Sequence, residues 1–477
     1  RRPGAGHGAV VAGPGRRAGR RQRDRRRDGC AKATGAVLIT RALLLDGTPA
    51  DIRVGEQILE VAQGLTARPG ETVLDAAGGT VIPGLHDHHV HLHSTAAAAH
   101  SPRVGPADVR GRDGLAHALA GAETDADGWI RAVGYHEAVA GPLDRDALDA
   151  VSPPVPVRVQ HRSGVVWTLN TAALRRIGMA DHPDGVLRSA DPSWAPERRD
   201  TELADVSRRL TSWGVTGITD ATPDLTEADI AGLRDAHRCG ELAVRVHVLA
   251  PGKRILHDDG LDLDELTRWI AGRHSRDTAV AVHCVTAAQL VVTIAALRAA
   301  GTRAGDRIEH AAVVPDDCLA DLAELGLTVV TQPNFVAERG DQYLLDVPAV
   351  ELPQLWRLRS LLESRVKVAL STDSPFGGGD PWAAMRAAVR RQTPAGDVLG
   401  PAERVSAATA LSMFLGAAEE PSRPRRVAPG QPGDLCVLAA SPAEVLDVLN
   451  ADLVAATLVG GDVVYPRQLS RRPFDAR

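Results

Sequence analysis

The sequence predicts an α/β fold, a parallel sheet with helices between its strands, accompanied by a smaller β unit. Three observations carry this expectation. Through the middle of the chain, strand-like runs alternate with Ala- and Leu-rich helical stretches, the rhythm of parallel β/α units. At both ends the texture changes to short β-prone runs punctuated by Gly, Pro and Asp. A length of 477 residues with 44% apolar content exceeds one ordinary core and suits a large barrel plus something smaller.

Residues 1–34 stand apart. They are rich in Gly, Ala, Pro and Arg, lack periodic apolar patterning, and read as a disordered tail. Ten arginines and Lys32 against Asp24 and Asp28 give the tail +9, which leaves −14 for the rest of a chain whose net charge is −5. An acidic body offers no broad footprint for nucleic acid. The arginine pairs at 16–17 and 20–21 lack the apolar run of an export signal. No run of about 18 apolar residues suggests a membrane span. Cys30, Cys239, Cys284, Cys318 and Cys436 form no CxxC pair and leave one over, which favours a reducing, cytoplasmic setting. A homo-oligomer is left open.

From Gly35 the runs 36–40, 42–45, 50–54, 57–61 and 72–75 read as strands of a small sheet, and 433–438 and 454–465 have the same character. In the central part the strand candidates are 155–159, 217–219, 243–249, 280–283, 328–331 and 366–371. Segments such as 290–300 and 316–325 read as helices between them.

The chemistry concentrates in Val81-Ile-Pro-Gly-Leu-His-Asp-His-His-Val-His-Leu-His93, five histidines within eight residues after a Pro-Gly turn. On a strand, alternation would place Asp87, His89, His91 and His93 on one face, with His86 and His88 on the other. Two neutral imidazoles on one face form half a site for zinc or a similar divalent ion. A solvated or opportunistic histidine tract is the competing reading. Further metal-type groups close other strand-like runs: His283 after Ala-Val-Ala-Val, His310 after Asp-Arg-Ile-Glu, and Asp373 after Val-Ala-Leu-Ser-Thr. In a parallel barrel such strand ends are where catalytic groups collect.

The pattern Pro83-Gly84-x-x-Asp87-x-His89-x-His91 closely resembles the first-strand signature of the amidohydrolase superfamily. Residues 282–286, 306–311 and 370–375 resemble the fifth, sixth and eighth strands of its family-3 branch, which includes N-substituted formamide deformylase-like enzymes. The resemblance covers most of 35–465 and favours His89 and His91 over His86 and His88 as ligands. It implies a (β/α)8 TIM-like barrel over 83–423, with a small β-sandwich formed by 35–82 and 424–477, the latter including a tail. It also implies one or two divalent metals, zinc by expectation, and a carbamylated lysine as bridge. Lys32, Lys253 and Lys367 are the lysines of the chain. Lys32 lies in the tail and Lys367 opens the run ending at Asp373, so Lys253 is the candidate. A buried lysine can lose its proton and take up carbon dioxide, whereas arginine effectively cannot. An exposed loop lysine after Pro251-Gly252 is the alternative, because only two residues separate it from the end of the preceding strand-like run at Ala250.

The implied activity is hydrolysis of a carbon–nitrogen bond of amide, N-acyl or N-formyl type in a small-molecule substrate. Metal-bound hydroxide would attack while Asp373 accepts and returns a proton. Tyr135, His136, His161 and Arg162 are candidate substrate contacts, with Arg162 suited to a carboxylate, or else ordinary polar loop residues. Phe376-Gly-Gly-Gly379 could shape a rim. Deamination is the rival reaction, weakened because no acid follows His283 directly, although Glu309 or Glu137 could stand in. A non-catalytic ligand-binding barrel is the rival from another class.

Overall fold

The computed structural model describes residues 35–188 and 201–466. The expected disordered tail, 1–34, lies outside them. In chain order the strands are β1 (Val37–Leu44), β2 (Pro49–Val54), β3 (Ile58–Ala62), β4 (Thr72–Asp75), β5 (Thr80–Pro83) and β6 (Leu85–Val90). Then come β7 (Ile130–Tyr135), β8 (Val157–His161), β9 (Val166–Leu169), β10 (Val186–Arg188), β11 (Val215–Asp220) and β12 (Arg245–Val248). The rest are β13 (Lys253–Ile255), β14 (Ala281–Cys284), β15 (Arg307–His310), β16 (Thr328–Thr331), β17 (Lys367–Leu370), β18 (Leu435–Leu438), β19 (Val454–Val459) and β20 (Asp462–Tyr465).

The two ends of the described chain do meet. They form one eight-stranded sheet in the order β20-β19-β18-β5-β1-β2-β3, with β4 paired to β1. β18 runs antiparallel to β5, Leu438 opposite Thr80 and Leu435 opposite Pro83. β1 pairs first with β4 and then with β5, changing partner around Arg41, whose φ is +54°. Its buried face, with Ile39, Ile52, Ile58, Val437 and Leu458, makes a core of its own.

The strands that carry the site are parallel throughout and fall in two sheets. One has the order β12-β11-β6 and the other β13-β14-β15-β16-β17. The segment after β17 runs beside β6: Asp373 N donates to His89 O at 3.0 Å, His91 N to Ser374 O at 2.8 Å, and Val90 bridges Ser374 in parallel sense. Helices Glu227–Arg238, Leu263–His274, Ala287–Ala300 and Asp316–Glu324 follow β11, β13, β14 and β15. The third begins with a reciprocal capping box between Thr286 and Gln289. Between β12 and β13 stand only residues 249–252, with no helix, the tight connection expected from the sequence.

The strand read at 155–159 corresponds to β8, which does not join these parallel sheets. It belongs to a separate four-stranded sheet, β10-β9-β8-β7, inserted between β6 and β11. Period-two alternation identifies a strand but says nothing about its neighbours, which explains the difference.

Candidate metal centre

Gly84 is what allows β6 to lie close to β11: a Cβ there would stand 2.1 Å from Thr216 Cγ2. The strand that follows is buried at every position. His86 packs over Gly217, donates to or accepts from Thr219 Oγ1 at 2.9 Å, and stacks on His88 at 4.6 Å. His88 is fully buried, and neither ring nitrogen has a hydrogen-bond partner. His89 points the other way, as alternation requires.

The extended strand stops at Val90. His91 is the N-cap of helix Leu92–Ala98, and His93 lies on that helix, with Nδ1 2.9 Å from Thr201 Oγ1. His93 therefore does not continue the strand face, contrary to the alternation reading. The cause is remote in sequence: the Asp220 carboxylate accepts the Leu92 N–H at 2.9 Å and fixes the start of the helix. Asp87 also has a structural partner. It accepts Thr372 N–H at 3.1 Å and Thr372 Oγ1–H at 2.5 Å, tying β6 to the segment before Asp373. Burial, with a smaller push from Asp373, raises its pKa to about 7 against the pull of the Thr372 donors.

His89, His91 and Asp373 converge, their ligand atoms within 4.8 Å of one another. Asp373 Oδ1 lies 3.5 Å from both His89 Nε2 and His91 Nε2, and Oδ2 lies 4.0 Å from His310 Nδ1. The His310 ring is 4.7 Å from that of His89 and 4.4 Å from that of His283. Lys253, the first residue of β13, is 4% exposed, which rules out the exposed loop alternative. Burial lowers its pKa to about 8 against the opposing pull of Glu309 and Asp373. The five sequence-predicted ligands and Lys253 thus come together from β6, β13, β14, β15 and the end of β17. Two of them sit on left-handed backbone, His310 at φ +71° and Asp373 at φ +56°, a conformation disfavoured outside glycine.

Hydrogen bonds set the tautomers. His89 Nδ1 faces the Glu309 carboxylate, which accepts only, so Nδ1 carries the proton and Nε2 keeps its lone pair. His310 Nδ1 lies 2.8 Å from Gln332 Oε1, and Gln332 Nε2 donates to Ser371 Oγ at 2.8 Å, which leaves the amide oxygen as acceptor. Burial, reinforced by neighbouring cations and imidazoles, holds both rings well below the usual imidazole range, and it lowers His283 to about 3. These neutral rings offer nitrogen lone pairs to a cation. His89 Nε2 and Asp373 Oδ1 are buried with no hydrogen-bond partner, the condition a metal would satisfy, and Lys253 Nζ is buried beside them without a partner.

Glu309, Arg307 and Gln332 were not singled out as ligand supports from the sequence. Glu309 is fully buried and also takes the Arg307 guanidinium, whose Nη2 donates to it at 3.1 Å and to His88 O at 2.6 Å. This orientation leaves Glu309 committed to His89 and Arg307 rather than free to serve a deamination. The spacing Arg-x-Glu in β15, two like-facing charges in a buried strand, was the available signal.

The remaining candidates lie elsewhere. Tyr135, His136, His161 and Arg162 stand at the ends of β7 and β8 in the inserted sheet. Tyr135 OH donates to Gly141 O at 2.6 Å, so it is engaged in holding its own loop. Phe376 packs edge-on to His91 with centroids 5.2 Å apart, and its ring would meet a Cβ on Gly164 at 2.6 Å. The expected rim thus borders the inserted sheet.

With this geometry in hand, the sequence comparison is decisive: the profile of the amidohydrolase family matches residues 72–465. The chain belongs to the amidohydrolase family. It is an enzyme acting on carbon–nitrogen bonds, on the family-3 branch. This amidohydrolase is 24% identical to an N-substituted formamide deformylase from Arthrobacter pascens, over 81% of this chain and 85% of the relative. An uncharacterised metal-dependent hydrolase from Pyrococcus horikoshii OT3 superposes with a TM-score of 0.68 at 18% identity, covering 87% of this chain and 99% of that one. A second, from Pyrococcus furiosus, gives 0.65 at 19% identity, covering 85% and 99%. Among the described residues no helix is long and apolar enough to cross a membrane.

Proposed function

We propose that this amidohydrolase cleaves an amide, N-acyl or N-formyl carbon–nitrogen bond in a small molecule with the help of a divalent metal, zinc by its ligand set. The observation that carries the reading is the group of buried, unpartnered polar atoms, His89 Nε2, Asp373 Oδ1 and Lys253 Nζ, amid neutral imidazoles. His89, His91 and Asp373 would hold one ion, and His283 and His310 a second, with Lys253 carbamylated as the bridge. A metal there supplies Lewis-acid polarisation of the carbonyl and an acidified water. Asp373, whose Oδ1 faces both His89 and His91, takes the proton from the nucleophile and returns it to the leaving nitrogen. Glu309 and Gln332 keep His89 and His310 in the ligating tautomer.

The fold supports this assignment. We read β6 and β11 to β17 as the eight strands of a (β/α)8 barrel spanning 83–423, with the sheet of 35–82 and 424–466 as the accompanying β-sandwich. The likeness to a deformylase of N-substituted formamides favours formamides as first substrates. Four described cysteines, Cys239, Cys284, Cys318 and Cys436, are unpaired, in keeping with a reducing, cytoplasmic setting.

The test is metal content together with hydrolysis of N-formyl and N-acyl amines, before and after chelation. Turnover should vanish with the metal and return on its addition. A metal-free protein that hydrolyses them equally well sinks the mechanism. Ammonia release from aminated heterocycles without amide turnover would replace it by deamination.

A further inference from the structure

The ends of β7 and β8 hold a second convergence of side chains. The strands are parallel with Tyr135 opposite His161, so His136 and His161 emerge side by side, ring centroids 5.7 Å apart. His161 Nε2 lies 3.3 Å and His136 Nε2 3.7 Å from the same atom, Glu137 Oε2. By distance alone, two imidazoles and a carboxylate make a metal triad.

The backbone argues otherwise. The Ala138 N–H donates to His136 Nδ1 at 3.2 Å, and the Ser163 N–H donates to His161 Nδ1 at 3.1 Å. An amide nitrogen can only donate, so each Nδ1 keeps its lone pair and each neutral ring carries its proton on Nε2. This is the reverse of His89 and His310. The His161 Nε2–H meets the Glu137 carboxylate at 3.3 Å and the His136 Nε2–H lies 3.7 Å from it, donors that suit an anion rather than a metal.

Arg162 adds a cation to this corner. Its guanidinium is half-buried and pairs with no carboxylate among the described residues. Burial, with the nearby positive charge of Arg339, lowers its pKa to about 10. Arg339 is itself held in place, donating to Phe376 O and lying 4.2 Å over the Phe335 ring. Asp346 and Glu137 act on Arg162 with the opposite sign but neither forms an ion pair with it, so two guanidiniums gathered in a partly buried position still favour an anion between them. The cluster also borders the metal centre. Gly164 N donates to His161 O at 2.9 Å, Gly164 abuts Phe376, and Phe376 packs on His91.

We infer that His136, His161 and Arg162 receive a carboxylate carried by the substrate at the end remote from the scissile bond. Glu137 takes the His161 Nε2–H in its absence, at 3.3 Å, and stands 3.7 Å from His136 Nε2; with a side chain 53% exposed it can yield to an incoming anion. The substrate class is then an N-formyl or N-acyl amine bearing a distal carboxylate. The chemistry of that class rests on the hydrolase reading above, whereas the carboxylate binding does not.

The test compares N-formylbenzylamine with 4-(formamidomethyl)benzoate, which share the scissile bond and differ in the remote charge. The metal-loaded enzyme should favour the carboxylate by about tenfold or more in kcat/KM, the size of a charge-assisted contact. In Arg162→Leu the ratio should collapse towards one, and in Arg162→Lys it should be intermediate because the point charge remains without the fork. Equal kcat/KM for the two compounds, or a preference that survives Arg162→Leu, overturns the receptor and leaves the hydrolase reading intact. If neither compound is turned over, the hydrolase reading fails, and calorimetric binding of 4-methylbenzoate decides the receptor. Binding weakened about tenfold in Arg162→Leu upholds it, and unchanged binding overturns it. Loss of one metal equivalent per chain in His161→Ala would overturn it in favour of a metal site.

Discussion

Glu309→Gln is the sharpest perturbation of the metal centre, because it preserves shape and removes one charge. Glu309 is fully buried and accepts from both His89 Nδ1–H and the guanidinium of Arg307, a residue only 4% exposed. A glutamine keeps one acceptor oxygen and turns an NH2 group towards one of those two donors. Breaking a buried pair from one side costs about 3–5 kcal/mol of folding stability, since the remaining charge stays buried. Freeing His89 from its partner should weaken metal binding by about 10- to 100-fold, or about 1.4–2.7 kcal/mol. The two effects are read separately, by urea unfolding of the metal-loaded protein and by competition with a chromophoric chelator. Glu309→Asp, which keeps the charge on a shorter arm, should fall between. Metal affinity within about twofold of wild type, together with an unshifted urea midpoint, would refute the orienting role of Glu309.

Three further outcomes are expected. Lys253→Ala should lower metal content, with added short carboxylic acids restoring part of it; wild-type content and activity would refute the bridge. Asp373→Asn should reduce turnover by about 10²- to 10⁴-fold while folding and much of the metal are retained, and an unchanged kcat would remove Asp373 from proton transfer. Gly84→Ala should destabilise by about 1–3 kcal/mol, because its Cβ would stand 2.1 Å from the buried Thr216 side chain. A melting temperature equal to wild type would show that β6 and β11 can part at no cost.

Much of the candidate centre was legible because its candidate ligands follow local rules. His89 faces away from His86 and His88 by strand alternation, and His283, His310 and Asp373 close strand-like runs. What escaped depends on distant partners. Strand alternation alone puts Glu309 and His310 on opposite faces, yet both meet His89, and His310 is the one on left-handed backbone. His93 was misplaced because the Asp220 carboxylate, 128 residues away, starts a helix at Leu92. The runs at the two ends of the chain announced a shared character, but the pairing of Thr80 with Leu438 is a tertiary fact. So is the membership of β8 in the inserted sheet.

That pairing of β5 with β18 has a consequence for biosynthesis. β5 lies one residue before the strand that carries His89, and its antiparallel neighbour begins at Leu435. At about 5–20 residues per second, a ribosome takes roughly 20–70 s to travel from one to the other. By the end of that interval every element bearing a candidate ligand has been made, while one hydrogen-bonding edge of β5 still has no strand to pair with. Closing so long a loop is slow as well as late. Nascent chains halted just before Leu435 should therefore hold every candidate ligand beside an unprotected strand edge, the state in which chaperones or edge-to-edge association would find them.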